Sequence, residues 1–166
     1  MNNDFYFSIL NIGSNKDVKE VIDDTLKMVH NQYEDNGISI EGMCKVFTNI
    51  ISSILTDNRI DNRILNLKDE YGLYEHEVVL CRGIHQGEVK YFLIDFTYPQ
   101  FCGKYPYNAI NKDKRGVIIA DKLLKDRYVL VNNDDINMYI KSFGNISSSF
   151  NLDEYFNDLD KKRNKK

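Results

Sequence analysis

Alternating apolar and polar residues in the middle of the chain predict a β-hairpin. Residues 76–95, HEVVLCRGIHQGEVKYFLID, hold two runs rich in β-branched and aromatic residues, and the turn-like run Ile84-His85-Gln86-Gly87 separates them. The midpoint of positions 76 and 95 falls at 85.5, inside that turn. Symmetric pairing about this point would place His76 directly opposite Asp95, within side-chain reach across the ladder.

The alternation also predicts which hairpin residues share a face of the sheet. Successive side chains of a strand point to opposite faces. The face of His76 would therefore also carry Val78, Leu80, Tyr91, Leu93 and Asp95. Cys81 would face the other way, which indicates a structural role. A one-residue slip in register would turn His76 and Asp95 to opposite faces, so the pairing of these two residues depends on the register.

Helical spacing precedes the hairpin. Apolar residues recur at intervals of three and four from Val18 to Val29 and predict a helix over about 16–33. A second, wider apolar pattern begins at Met43 and predicts a largely buried helix over about 43–55, with Cys44 in its first turn. A strand around 63–67 is predicted beside the hairpin.

The remaining pattern completes an α+β chain. Beyond the aromatic-rich segment that follows Asp95, the spacing predicts a short helix over 116–125, a strand over 128–131, a helix over 134–143 and a last amphipathic helix over about 152–159. We find no internal repeat and no linker. We therefore expect a single domain over residues 1–160 and a basic disordered tail over 161–166.

Composition narrows the classes of function. The 166 residues are 42% hydrophobic and 28% charged, which is typical of a folded protein. A net charge of −3 argues against a nucleic-acid partner. The first ten residues have no basic region and no long apolar run, and no stretch approaches the length of a membrane span. We expect a cytoplasmic protein, and these features are also compatible with export that needs no cleaved signal.

Cysteine usage leaves one thiol of interest. Three cysteines without a C-x-x-C pair predict neither a disulfide framework nor a zinc site, and we expect no metal and no cofactor. At a helix start, the free N–H groups and the helix dipole would favour the thiolate of Cys44. The alternative is that Cys44 is a small buried apolar residue. Cys102 is a second thiol, but Gly103 follows it rather than a helix start.

A thiol, an imidazole and a carboxylate together form the parts of a cysteine nucleophile. The imidazole takes the thiol proton, and the carboxylate fixes the tautomer and the orientation of the ring. We assign Cys44 as nucleophile, His76 as general base and acid, and Asp95 as the orienting carboxylate. His85 is the rival base, but its place in the turn predicts a solvent-exposed side chain.

Two polar residues follow Asp95 closely. Thr97 and Gln100 are candidates for substrate binding, and the alternative is that they hydrogen-bond the local backbone.

The order of Cys44 at a helix start, His76 leading a strand and Asp95 ending the next strand resembles the transglutaminase-like branch of the papain-like cysteine enzymes. The run from Tyr91 to Phe101 looks like the family segment of an apolar strand followed by Asp, x, Thr, x, x, Gln, Phe. The resemblance covers about 44–101, roughly a third of the chain, which lacks the tryptophan that the family often carries near its cysteine.

This resemblance implies a fold and a chemistry. The fold is α+β, with the nucleophile-bearing helix packed on an antiparallel sheet. The chemistry is acyl transfer through a thioester, with a protein or small molecule as the carboxamide or acyl donor, as in a glutamine deamidase, a transglutaminase or an amide-forming acyltransferase.

Other functions remain open at this stage. They are a cysteine protease of the same fold, a non-catalytic interaction protein that retains the fold, and a small acidic binding protein in which Cys44 is core. The last of these predicts that Cys44 is inaccessible and that His76 lies beyond hydrogen-bonding distance of Asp95.

Overall fold

The computed structural model describes residues 16–68, 75–101, 110, 112–143 and 150–157 and has an α+β architecture. Its helices are α1 (Val18–Gln32), α2 (Cys44–Asp57), α3 (Lys114–Asp126) and α4 (Asn133–Lys141), and residues 152–157 are also helical. Its strands are β1 (Asp61–Lys68), β2 (Glu75–His85), β3 (Glu88–Ile94) and β4 (Tyr128–Val131). Short 3-10 turns lie at Glu34–Asn36 and Tyr98–Phe101.

The four strands form one antiparallel sheet in the order β1-β2-β3-β4. The strand predicted around 63–67 is β1 and pairs with β2, so its place beside the hairpin is confirmed. The strand predicted over 128–131 is β4, which pairs with β3. Each strand therefore pairs with the one before it in the chain.

The hairpin register differs from the predicted one. The ladder runs from Val79 opposite Ile94 to His85 opposite Glu88, so the turn consists of Gln86 and Gly87 alone. Both turn residues have positive φ (53° and 79°), as a two-residue type I′ turn requires. The prediction that His76 lies directly opposite Asp95 is therefore wrong.

The shift nevertheless leaves His76 and Asp95 on one face of the sheet. Moving the centre of the turn by one residue changes each pairing by two positions, and side chains alternate with a period of two. Asp95 follows the last residue of the ladder and lies diagonal to His76 rather than opposite it. Diagonal neighbours remain within reach of long side chains.

The sheet separates two hydrophobic cores, and helices cover both faces. On one face α1 and α2 pack against the sheet through Val79, Cys81, Phe92 and Ile94. On the other face α3, α4 and residues 152–157 cover Val78, Leu80 and Leu93. Cys81 thus lies on the face away from His76, as the alternation predicted.

The helix predictions are confirmed within a few residues at each end. The predicted helices over 16–33 and 43–55 are α1 and α2, and those over 116–125 and 134–143 are α3 and α4. Of the last predicted helix, residues 152–157 are helical. Cys102, residues 158 and 159 and the tail over 161–166 lie outside the described residues. No helix in the described part of the chain is long and apolar enough to cross a membrane.

Candidate active site

Cys44 is the first residue of α2, and its side chain is partly exposed. Helices α1, α3 and α4 are each capped at the N-terminus by a side chain that accepts a backbone N–H. The capping residues are Asp17, Asp113 and Asn132. The start of α2 has no such side-chain cap and no acidic residue in its first turn. Its first N–H groups are therefore not capped by a side chain and favour an anion at the Cys44 sulfur, whereas the nearby Glu77 carboxylate opposes that charge.

His76 is the second residue of β2 and is almost fully buried, with 1% of its surface exposed. Its ring stacks on Phe143 at a centroid distance of 5.8 Å and meets the edge of Phe101 at 5.1 Å. Two aromatic rings thus restrict the rotation of the imidazole.

Asp95 follows the last residue of β3 and is also 1% exposed. Its backbone N–H donates to the Arg127 carbonyl at 2.9 Å, which anchors the main chain beside β4. Its Oδ1 accepts a hydrogen bond from Nε2 of His76 at 2.8 Å, and its Oδ2 accepts one from the Tyr139 hydroxyl at 2.6 Å. Both carboxylate oxygens are therefore engaged by buried donors.

Cys44 and His76 reach each other from opposite sides of the sheet. The ladder between β2 and β3 ends at Val79, so the first residues of β2 pair only with β1. At this uncovered end of β2 the side chains of Cys44 and His76 lie close enough for each to shift the pKa of the other. Since Nε2 of the ring is hydrogen-bonded to Asp95, Nδ1 is the ring nitrogen on the side away from that carboxylate.

The charges of this group favour an ion pair between Cys44 and His76. Burial raises the pKa of the Cys44 thiol, but the hydrogen bonds from His76 and from the Glu77 backbone N–H outweigh burial and lower this pKa below its usual value. Burial likewise disfavours the imidazolium, yet the Asp95 carboxylate and Cys44 raise the pKa of His76 to about 9. A thiolate beside an imidazolium is the reactive form of a cysteine nucleophile.

Gln100 approaches the nucleophile, whereas Thr97 is covered. The Gln100 Oε1 accepts the Gly42 backbone N–H at 2.8 Å, two residues before Cys44, so the amide group lies beside the start of α2. Thr97 is 2% exposed, and its hydroxyl has no hydrogen-bond partner in the described part of the chain. A substrate would reach Thr97 only if the residues that cover it moved.

His85, the rival base, is not the exposed turn residue that the sequence predicted. It is the last residue of β2, its side chain is 18% exposed, and its Nδ1 lies 2.8 Å from Asp17 Oδ2. The prediction was wrong because the tighter turn extends the strand and brings His85 against the start of α1. Cys81 is fully buried in the opposite core, where burial raises its pKa far above that of Cys44.

Tyr139 and Phe143 also contact the site, but the sequence did not identify them as site residues. Both fall within the predicted helix over 134–143, to which the sequence assigned no part of the site. Their spacing of four residues places them on one side of that helix, yet nothing local indicates that this side covers His76 and Asp95. The one local signal was the tyrosine at position 139 on the apolar side of the helix. A buried tyrosine hydroxyl usually has a hydrogen-bond partner, so its presence indicated a polar contact there.

The described side chains form no cluster of three His, Cys, Asp or Glu residues that would hold a metal ion. No protein-family model, curated protein or solved structure matches the chain. The candidate chemistry therefore depends on the geometry of Cys44, His76 and Asp95.

Proposed function

We propose that the chain is a cysteine-dependent acyl-transfer enzyme of transglutaminase type, with a papain-like arrangement of a nucleophile-bearing helix on an antiparallel sheet. The observation that carries the proposal is the buried His76–Asp95 hydrogen bond of 2.8 Å beside the Cys44 thiol, whose pKa His76 lowers. The three residues come from three separate elements, and only the thiol is partly exposed.

The first half-reaction would begin with attack of the Cys44 thiolate on the carbonyl carbon of a carboxamide. The C=O electron pair moves onto oxygen, and the first-turn N–H groups of α2 and the Gln100 amide beside them would be the donors to that oxyanion. The His76 imidazolium then donates its proton to the leaving nitrogen. The C–N bond breaks, ammonia or an amine leaves, and Cys44 is held as a thioester.

In the second half-reaction neutral His76 removes a proton from water or from an amine acceptor, which attacks the thioester. The C–S bond breaks, the thiolate re-forms beside the imidazolium, and a carboxylic acid or a new amide leaves. Asp95 keeps Nε2 protonated in both steps, so that Nδ1 exchanges the proton.

The rival functions differ in how well the geometry favours them. The binding protein with Cys44 in its core predicted an inaccessible thiol and a separated His76 and Asp95, and both predictions are contradicted. A cysteine protease shares the first half-reaction, and a non-catalytic relative shares the fold. These two alternatives are therefore separated from acyl transfer by experiment.

Selective alkylation tests whether the nucleophile is activated. Iodoacetamide at pH 6.5 should label Cys44 well ahead of Cys81 and Cys102 in the folded protein, as peptide mass spectrometry would detect. Equal labelling of all three cysteines at the rate of an ordinary thiol would contradict the proposal.

Acyl transfer is then tested with a glutamine-containing peptide, with and without a fluorescent primary amine. Release of ammonia together with a thioester adduct on Cys44 would support deamidation, and amine incorporation would support transamidation. Cleavage of the peptide backbone would favour the protease. If activated Cys44 forms no adduct with peptide amides or with simple thioesters, the acyl-transfer function is excluded.

A further inference from the structure

Each described neighbour of Asp95 contributes a different restraint to its position. The Arg127 carbonyl holds the main chain, and His76 occupies Oδ1. The Oδ2 atom accepts a hydrogen bond of 2.6 Å from the Tyr139 hydroxyl. Tyr139 is fully buried, with 0% of its surface exposed. A carboxylate held at one oxygen can still rotate about its Cβ–Cγ bond, whereas a carboxylate held at both cannot.

We propose that Tyr139 is a positioning residue for the Cys44–His76–Asp95 group. Its hydroxyl holds the Asp95 carboxylate in the plane that receives His76 Nε2, and it thereby directs Nδ1 of the ring towards Cys44. This inference deepens the proposed acyl-transfer function and rests on it for its biological meaning, but its physical content can be measured separately.

The surroundings of Tyr139 support the role. Tyr139 lies on α4, and its ring contacts Phe143 at a centroid distance of 5.6 Å. Phe143 in turn stacks on the His76 ring with an interplanar angle of 10°. Thus α4 orients Asp95 through a hydrogen bond, and Phe143, two residues past the end of α4, orients the imidazole through a ring contact.

The hydroxyl also affects the charge of the group. A hydrogen bond to an ionised carboxylate favours the charged form, and the charge of Asp95 favours protonated His76. The charged and titratable neighbours in the described contacts are few: His76 meets Asp95 and Cys44, and Cys44 also meets the Glu77 carboxylate, which disfavours the thiolate. Loss of the Tyr139 hydroxyl should therefore lower the pKa of His76.

The test is an NMR titration of His76 in Tyr139→Phe, which removes one oxygen and keeps the buried ring. With histidine-labelled protein, the titration midpoint of His76 should fall by roughly half to one pH unit relative to wild type. The acidic limb of Cys44 alkylation should move to higher pH by a similar amount, because the imidazolium stabilises the thiolate less.

Tyr91→Phe is the matched control, since Tyr91 donates a hydrogen bond to Asp153 and no described contact joins it to the site. Its loss should leave the His76 midpoint unchanged. In an Asp95→Asn background, Tyr139→Phe should add no further shift, because the effect of Tyr139 passes through the carboxylate.

An unchanged His76 midpoint in folded Tyr139→Phe would overturn the positioning role, even if the variant were less stable. An equal shift in Tyr91→Phe would overturn it too. If the midpoint moves as expected while Cys44 forms no acyl-enzyme, the acyl-transfer function fails and the positioning role stands. If acyl transfer is observed and the midpoint does not move, only the role of Tyr139 falls.

Discussion

Two histidine–aspartate pairs lie at opposite ends of β2, and they differ in almost everything except distance. His76 and His85 each place a ring nitrogen 2.8 Å from a carboxylate, Asp95 and Asp17 respectively. The two histidines are nine positions apart in β2, so the pairs lie about 30 Å apart along the strand.

The surroundings give these pairs different uses. Asp17 also accepts the backbone N–H groups of Lys19 and Gln86, so it joins the start of α1 to the hairpin turn. The Asp95 carboxylate accepts hydrogen bonds from the side chains of His76 and Tyr139, and His76 also lies beside the Cys44 thiol. A His–Asp pair is thus a structural clamp at one end and a candidate catalytic unit at the other.

The largest expected difference between the two ends is in the reactivity of Cys44. His76→Ala should slow alkylation of Cys44 at pH 6.5 by roughly 10²-fold or more, because the thiolate loses its counter-ion. His85→Ala should leave the rate of Cys44 alkylation within a factor of two of wild type, as measured by the same iodoacetamide labelling and peptide mass spectrometry. A comparable loss in both variants would show that the two ends are not functionally distinct.

The carboxylates should differ in their effects on stability. Asp95→Asn breaks a buried charge pair and should lower the free energy of unfolding by about 3–5 kcal/mol in urea titrations. Asp17→Asn should cost less than about 1 kcal/mol, because asparagine also caps helices well. Greater loss in Asp17→Asn would reverse the assignment of the buried pair as the stronger one.

The pH dependence of stability should follow His76. Its pKa is raised from 6.5 to about 9 in the folded state, so its contribution is complete below pH 6.5 and is lost as the pH rises towards 9. Cys44 titrates with the opposite sign, since a lowered pKa adds stability as the pH rises. Cys44→Ser removes this opposing contribution. In that variant the free energy of unfolding should fall by about 2 kcal/mol as the pH rises from 6.5 towards 9.

The control for this measurement is a second substitution. Adding His76→Phe to Cys44→Ser should abolish the fall, and adding His85→Ala should leave it in place. If the fall persists without His76, another group is responsible for it.

The smallest effect on the candidate site is expected from changes in the packing of the clamp end. A Cβ on Gly83 would lie 2.7 Å from the Val18 Cβ, so Gly83→Ala should push the hairpin from α1 and cost about 1–3 kcal/mol. Gly87→Ala meets open space and should lose only about 1 kcal/mol through its positive φ. Neither variant should change Cys44 alkylation in the folded protein; a large change after Gly83→Ala would mean that the two ends are coupled.

Much of the fold follows from local patterns. The helices could be predicted from the spacing of apolar residues, because amphipathic periodicity is a local property of the chain. The bounds predicted for β4, 128–131, are those it has. The alternation in the hairpin was enough to place His76 and Asp95 on one face. It could not choose between two turns that differ by one residue, since the type I′ geometry of Gln86 and Gly87 decides that register.

The candidate site divides in the same way. Cys44, His76 and Asp95 could be found because a helix start and two strand ends carry the residue types that a nucleophile needs. Tyr139 could not be assigned, because its partner lies 44 residues away in sequence and on another element. His85 was misjudged for the same reason, since Asp17 is 68 residues distant.

By itself the sequence determined the α+β class, the helix that begins at Cys44 and the shared face of His76 and Asp95, all of which depend on periodicity over a few residues. Only the tertiary structure decided that the ladder between β2 and β3 stops at Val79, which leaves the first residues of β2 uncovered on that side. There a thiol from one core layer meets an imidazole from the other. It also decided which of two His–Asp pairs is buried. Burial and contact between distant segments depend on how all the elements pack together, and no local pattern contains that information.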